Sequence, residues 1–261
     1  MIIATGLRKV FNAGTASEKI AIAGLDLRVD TADFVAVIGG NGAGKSTLLN
    51  LLGGAYLPDA GRIEIDRDDV TRVPEYIRAT SVARVFQDPM IGTAPTLTVE
   101  ENMTLALMRS QGRSLRPALS AARRGRFRDA LAPLRLGLED RMHTIAGDLS
   151  GGQRQALALA MATLVAPKLL LLDEHTAALD PGTSELVMEA TVSMVSKGCL
   201  TTLMVTHNME HALAYGSRIV MMDAGRIVAD IDAVEKKGLT VADLVNRFRI
   251  RDDRIVLTQA K

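Results

Sequence analysis

The sequence contains very little cysteine and few aromatic residues. Cys199 is the only cysteine among the 261 residues, so the chain cannot form an internal disulfide, and a reducing compartment is compatible with this composition. Tryptophan is absent, and aromatic residues make up only 3% of the chain. An aromatic side chain assigned to a ligand site must therefore be weighed against a role in the core.

The sequence also lacks a hydrophobic run long enough to cross a bilayer. The most apolar stretch, residues 156–172, is interrupted by Pro167 and Lys168, whereas a membrane-spanning helix needs about 20 apolar residues. Residues 1–5 show neither the basic start nor the cleavage site of a signal peptide. We therefore expect any membrane association to come through a partner protein.

Neither sign of charge is in excess. Lysine and arginine number 31 and aspartate and glutamate 30, so the composition does not favour a dedicated nucleic-acid binder. One stretch is rich in arginine, and it fits either a solvated helix face or a surface facing anionic lipid headgroups. Its members are Arg113, Arg116, Arg123, Arg124, Arg126 and Arg128. His143, His175 and His211 have no matching set of metal ligands, so we interpret them as structural.

Alternation of apolar strands and helical stretches predicts an α/β fold with a parallel sheet covered by helices. Strands are expected at 2–7, 20–29, 34–38, 62–65, 82–86, 169–172, 202–205 and 219–222, and helices at 45–52, 100–109, 117–134, 184–195 and 209–214. We expect an α/β core at 1–88 and 166–235, with a small antiparallel β portion near the N-terminus. Residues 89–165 are predicted to form a helical insertion and residues 236–261 a small appendage.

A glycine-rich segment follows one of these strands and opens a helix. Residues 39–47 match the pattern G-x-x-x-x-G-K-[ST]. Glycines let the backbone curl so that N–H groups point at phosphate oxygens, and the helix N-terminus adds partial positive charge. Lys45 is expected at the β- and γ-phosphates and the Ser46 hydroxyl at Mg²⁺. An incidental glycine-rich turn is the alternative. The predicted nucleotide contacts are Gly39, Asn41, Gly42, Ala43, Gly44, Lys45, Ser46 and Thr47.

Two carboxylates end the apolar strand 169–172. A parallel strand delivers the residues at its C-terminal end to the ligand crevice, so Asp173 and Glu174 are expected there. Asp173 would hold Mg²⁺, and Glu174 would polarise the attacking water as general base. An ordinary acidic turn is the alternative, but the phosphate-binding loop favours catalysis.

Further motifs, in the same order, resemble those of ABC ATPases. Leu149-Ser150-Gly151-Gly152-Gln153 matches the LSGGQ signature letter for letter. The resemblance covers almost the whole chain and implies ATP and Mg²⁺ as ligands. It implies that Gln87 approaches Mg²⁺ and the water, that Asp180 lies at a dimer contact, and that His207 contacts the γ-phosphate. Phe11 occupies the position of an adenine-stacking aromatic, with a core role as the competing interpretation.

The signature also has a physical rationale. Ser150, Gly151, Gly152 and Gln153 precede a helix expected to begin around Arg154, and bare N–H groups at a helix N-terminus form an anion site. In ABC proteins this second anion site faces the nucleotide of the other subunit. The resemblance therefore implies that two copies of the chain sandwich two ATP molecules head to tail.

The finer sequence resembles one importer subfamily, the ATPases proposed to serve tryptophan and tyrosine uptake. Residues 86–95, 173–181 and 201–210 carry this likeness, together with the early segment 11–15. It implies a permease in the bacterial inner membrane, an extracytoplasmic substrate-binding protein, and a peripheral position for this chain on the cytoplasmic face. One departure stands out, because His175 replaces the proline that usually follows the glutamate and would fix φ there.

Two other classes remain open from the sequence. A non-transport ABC ATPase would act with a soluble or nucleic-acid partner. A phosphate-loop kinase or switch GTPase would leave the LSGGQ segment and His207 unexplained. A fused membrane domain, a second cassette and coiled-coil arms are not apparent in the sequence, which favours pairing with separate membrane subunits.

Overall fold

The computed structural model of the protein describes residues 1–109 and 120–247. Its strands are β1 Ile2–Phe11, β2 Lys19–Val29, β3 Phe34–Gly39, β4 Ala60–Ile65, β5 Asp68–Asp69, β6 Val82–Val85, β7 Leu169–Asp173, β8 Thr202–Val205, β9 Arg218–Asp223 and β10 Arg226–Ile231. Its helices are α1 Lys45–Gly53, α2 Glu75–Arg78, α3 Pro89–Gly92, α4 Val99–Met108, α5 Ala121–Leu131, α6 Gly151–Thr163, α7 Pro181–Gly198, α8 Met209–Tyr215 and α9 Ala233–Lys236. Short 3₁₀ turns span Ala132–Leu134, Leu138–Asp140 and Ala146–Asp148.

The larger sheet carries the residues expected to do the chemistry. Its strand order is β10-β9-β3-β8-β7-β6, with β10 antiparallel to β9 and the other pairs parallel. Every residue of β3 and β8 is buried, which explains their wholly apolar or uncharged sequences, since both faces of a parallel sheet are covered. The carboxyl ends of β3, β7 and β8 lie at one edge, so the segments that follow them meet there.

The smaller sheet has the order β2-β1-β4-β5 and is antiparallel throughout. Its inward residues, such as Leu7 and Ile22, share one apolar core with Val35 of β3 and with Leu48 and Leu52 of α1. Helix α1 is thereby held between the two sheets. This arrangement confirms the predicted fold class: a largely parallel α/β core, a small antiparallel portion and a helical region.

The helical region is built on a second apolar core. Phe127 and Leu131 of α5, Met103 of α4 and Leu157 of α6 are all fully buried in it. Thr98 caps α4 in a reciprocal pair with Glu101, which fixes where that helix begins. Of the arginine-rich stretch, Arg113 and Arg116 lie outside the described residues. The domain boundaries at 88, 165 and 235 stay predictions, and residues 248–261 also lie outside the described part.

The structure corrects several element boundaries. Helix α6 begins at Gly151 rather than around Arg154, because Ser150 caps it. The helix expected over 117–134 ends at Leu131 and continues as a 3₁₀ turn that contains Pro133, which cannot supply a helical N–H. Strand β10 was not predicted. It forms a tight hairpin with β9 through Ala224 and Gly225, both at positive φ.

Candidate active site

The phosphate-binding loop connects β3 to α1 and depends on glycine at its last position. Gly44 precedes α1 with φ 101°, and a Cβ there would lie 2.6 Å from the carbonyl oxygen of Ala21. Gly42 also has positive φ, at 81°. A side chain at either position would be strained, and at Gly44 it would also collide with the backbone of β2. The smaller sheet therefore fixes the path of the loop.

Lys45 is the first residue of α1 and is buried, with 6% of its surface exposed. Its Nζ donates to the carbonyl oxygens of Gly39 at 2.9 Å and Gly40 at 3.0 Å. Burial lowers the pKa of Lys45, while the nearby carboxylates of Glu174 and Asp173 act in the opposite direction. The lysine is thus a buried point charge inside the loop, placed to exchange carbonyl contacts for phosphate oxygens.

Glu174 follows β7 in an unusual backbone conformation. Its φ is 48°, in the left-handed region, and its N–H donates to the carbonyl of Val205 at 3.0 Å. One carboxylate oxygen, Oε1, lies 2.7 Å from Nε2 of His207, which comes just after β8. Two neighbouring strands therefore place a carboxylate and an imidazole in direct contact, as general base catalysis with an orienting partner requires.

Asp173 has a partner that sequence reasoning missed. Its Oδ2 accepts from Nη2 of Arg84 on the neighbouring strand β6 at 2.5 Å, with both side chains largely buried. The same guanidinium donates from Nη1 to Oδ1 of Asn50 in α1 at 2.6 Å and lies 4.6 Å from the ring of Phe86. The sequence did offer a signal for this contact, because Arg84 interrupts an otherwise apolar strand and a buried guanidinium needs a partner.

A cavity of about 220 Å³ lies over the loop, and most of the predicted nucleotide contacts surround it. Phe11 lies on its wall, with the ring of Tyr56 packed edge-on at 5.3 Å between centroids. Lys19 and Ala21 of β2 also line it, and the sequence did not single them out. From the predicted set the cavity is lined by Phe11, Asn41, Gly42, Ala43, Gly44, Lys45, Ser46, Thr47, Glu174 and His207.

Gln87 is not in the cavity wall and lies just past the end of β6. The carbonyl of the preceding residue, Phe86, accepts from Nε2 of Gln155 in α6 at 3.0 Å. Asp88 then caps α3, accepting from the N–H of Met90. Gln87 therefore sits where the sheet passes into the helical region.

The signature residues are outside this cavity. Ser150 and Gln153 form a capping box at the start of α6, each side chain bonded to the other's backbone N–H at 3.2 Å. Gly151 is exposed, whereas Gly152 is buried with no room for a Cβ against Thr183 of α7. Asp180 caps α7 by accepting from the N–H of Thr183 at 3.0 Å, and hydrogen bonds from Thr183 lower the pKa of its carboxyl.

Of the three predicted Mg²⁺ ligands, Ser46 lines the cavity over the loop, whereas Gln87 and Asp173 lie outside its wall and Asp173 is paired with Arg84. The Ser46 hydroxyl, the Asp173 carboxylate and the Gln87 amide are the ligand types that Mg²⁺ prefers, with phosphate oxygens and water completing its shell. Within residues 1–109 and 120–247, no group of three or more histidine, cysteine, aspartate or glutamate side chains is arranged to hold a metal by itself.

His175 directly follows Glu174 and is buried. Its Nε2 lies 3.1 Å from the hydroxyl of Thr191 in α7. Burial, and secondarily the charge of His211, lowers the pKa of His175 to about 4. His211 packs edge-on against Tyr215. The interpretation of these two histidines as structural stays a prediction.

Comparison with known proteins decides the family. A sequence model of the ABC transporter family matches residues 22–177. The chain belongs to the ABC transporter family. It is an ATP-binding cassette of that family and an ATPase.

Curated relatives of this cassette serve several transport systems. A tyrosine transport ATP-binding protein of Clostridioides difficile is 44% identical over 224 residues, covering 86% of this chain and 89% of the relative. The lipoprotein-releasing system ATP-binding protein LolD of Ruegeria pomeroyi is 36% identical, covering 87% and 96%. The spermidine/putrescine import ATP-binding protein PotA of Shigella flexneri is 34% identical over 86% of this chain and 55% of the relative.

A solved cassette shares the fold. The dimeric structure of the ATP-binding cassette MJ0796 in a post-hydrolysis state, bound to ADP and Pi, superposes with a TM-score of 0.77 at 28% identity. The match covers 89% of this chain and 99% of the other. Among the described residues of this ABC cassette, no helix is both long and apolar enough to cross a membrane.

Proposed function

We propose that this cassette powers an importer for an aromatic amino acid, with tyrosine the favoured solute. The observation that carries the proposal is the 44% identity to the tyrosine transport ATP-binding protein along nearly the whole of both chains. Cassettes named for lipoprotein release, phosphonates or thiamine are 34–37% identical to this chain. The solute itself would bind to other subunits, so the choice of solute rests on this likeness.

The site geometry supports specific roles in ATP hydrolysis. Lys45 and the loop N–H groups hold the phosphates, Ser46 and Asp173 hold Mg²⁺, and Phe11 stacks on the adenine. Bound Mg²⁺ would neutralise charge that develops on the phosphates. Glu174 accepts a proton from the attacking water, and His207 orients the carboxylate through the 2.7 Å contact. Gln87 relays the state of the site to the helical region.

A second copy of the chain completes the site. The exposed start of α6, with Ser150 and Gly151, lies outside the chain's own cavity and offers a helix N-terminus to an anion. A head-to-tail pair would place it against the γ-phosphate held by the partner's loop, and Asp180 would lie at the contact. The dimeric state of the MJ0796 cassette supports this arrangement.

The permease is proposed to dock beside the segment 88–98. Met90 and Ile91 of α3 are exposed, Ile91 by 65% of its surface, although both are apolar. This helix follows Gln87 directly, so a permease contact here would sense the site. The chain would then be peripheral on the cytoplasmic face of a bacterial inner membrane, with a substrate-binding protein on the other side.

Purification of the tagged chain in mild detergent from its native membranes tests the proposal. A polytopic permease and a substrate-binding protein are expected to accompany it. In proteoliposomes holding the permease, the binding protein with tyrosine should raise ATP turnover, whereas spermidine should not. Ribosomal, DNA-bound or purely soluble partners would contradict an importer and leave the ATPase assignment intact.

A further inference from the structure

His175 connects the catalytic turn to the longest helix of the described chain. The residue is 2% exposed, and it lies directly between Glu174 and the turn that leads to Asp180. Nothing in the hydrolysis scheme uses its ring. A buried imidazole at this position therefore needs a role of its own.

The direction of its hydrogen bond follows from the geometry around Thr191. The Thr191 hydroxyl donates to the carbonyl of Val187 in the previous turn of α7 at 2.7 Å. A hydroxyl carries one hydrogen, so Thr191 can only accept from His175. The ring is therefore the tautomer with hydrogen on Nε2, and it donates across 3.1 Å to α7.

The anchored turn is the one whose backbone is strained. Glu174 has φ 48° without being a glycine, and such a conformation persists only where its surroundings hold it. On one side Glu174 is held by β8, through its N–H to Val205. On the other side the buried ring of His175 fastens the next residue to α7.

We propose that His175 is a positioning residue for ATP hydrolysis: its bond to Thr191 holds the turn so that the Glu174 carboxylate stays against His207. Asp180 caps the same helix, so the bond between His175 and Thr191 would position both the general base and the predicted dimer contact. The proposal rests on Glu174 acting as the base. Displacement of a catalytic group by about 1 Å can lower turnover by about 100-fold.

A matched pair of substitutions at Thr191 tests this. Thr191→Val keeps the shape and removes the acceptor, whereas Thr191→Ser keeps the acceptor. For the purified chain, alone and with its membrane partners, we expect Thr191→Val to lower kcat about tenfold while KM and ATP affinity stay within about twofold. Thr191→Ser should keep kcat near the wild-type value. An unchanged kcat in Thr191→Val, or a parallel loss in Thr191→Ser, would overturn the proposal.

A second pair keeps the test decisive if Thr191→Val fails to fold, as a thermal melt would show. His175→Gln retains a donor near Nε2, whereas His175→Phe fills the space without one, so only the Phe variant should lose kcat.

Glu174→Gln distinguishes the role of Glu174 as base from the positioning role of His175. Normal turnover in Glu174→Gln overturns the base role and this inference together. A dead Glu174→Gln beside a fully active Thr191→Val overturns this inference alone.

Discussion

Two helix N-termini in this cassette, those of α1 and α6, differ in how they are capped. Helix α1 begins after Gly44, and in the described chain no side chain caps it. Helix α6 begins after Ser150, whose hydroxyl accepts from the N–H of Gln153, while the Gln153 side-chain oxygen accepts from the N–H of Ser150. Lys45, the first residue of α1, is buried, whereas Ser150 and Gly151 at the start of α6 are exposed.

Under the proposed two-chain site, each helix supplies a different half. An uncapped N-terminus with a buried lysine leaves N–H donors available to the phosphates of a nucleotide bound in the same chain's cavity. A capped and exposed N-terminus is stable alone and must meet its anion at a surface. Changes near α1 should therefore alter ATP binding or chemistry in one chain, and changes near α6 should act through a second chain.

The largest effect is expected at Glu174, beside the phosphate-binding loop. Glu174→Gln removes the proton acceptor and leaves the loop intact, so kcat should fall by about 10²–10⁴-fold with ATP affinity retained. Single-turnover hydrolysis and equilibrium ATP binding measure the two quantities. Turnover within tenfold of wild type would remove Glu174 from its role.

A direct contrast between the two helices comes next. Lys45→Met removes a charge-assisted contact worth about 1.5–3 kcal/mol, so ATP affinity of the single chain should fall about 10- to 100-fold. Ser150→Ala should leave that affinity unchanged. Isothermal titration at protein concentrations too low for pairing measures both. Equal losses of ATP affinity in the two variants would contradict the proposed difference between α1 and α6.

A smaller effect, on stability, is expected at Arg84, which bonds both Asn50 of α1 and Asp173 of β7. Arg84→Met leaves the largely buried Asp173 carboxylate without its ion-pair partner, and we expect the free energy of unfolding to fall by about 3 kcal/mol. Urea denaturation measures it. Adding Asp173→Asn removes the stranded charge and should recover part of the loss. No recovery would mean that the arginine acts by packing alone.

The smallest effect is expected at the capped helix. Ser150→Ala removes the hydroxyl that accepts from the N–H of Gln153, at a cost of about 1 kcal/mol in unfolding free energy. Ser150→Asp keeps an acceptor and is the matched control for stability. Thermal melts of both variants measure the difference, and an unchanged Ser150→Ala would show that the cap contributes nothing.

Much of this site could be predicted from the sequence because its motifs are local. The loop 39–47 needs glycines next to a lysine, and the apolar strand before Asp173 points to a sheet edge. Each of these two motifs consists of consecutive residues. Glu174 and His207 then meet at one cavity because β7 and β8 are parallel and end at the same edge, and Phe11 joins them from the end of β1 in the smaller sheet.

Pairings between distant residues could not be predicted in the same way. Arg84 reaches Asp173 only because β6 and β7 are neighbours, and their pairing is a property of the whole sheet. His175 finds Thr191 through the packing of α7. The capping box could have been found, since Ser150 and Gln153 have the spacing of that motif, and it would have placed the start of α6 correctly.

The central claim is that the phosphate-binding loop of one chain works with the start of α6 in another chain. Lys45→Met disables the first, and Gly151→Asp places a carboxylate at the second, where an added Cβ meets only Leu179 at an ordinary 3.8 Å. Each variant alone should be inactive. Mixed in equal amounts they should recover about a quarter of wild-type ATP turnover, because half of the pairs are mixed and each holds one intact site. If cross-linking shows mixed pairs and turnover stays at zero, the two-chain site is contradicted.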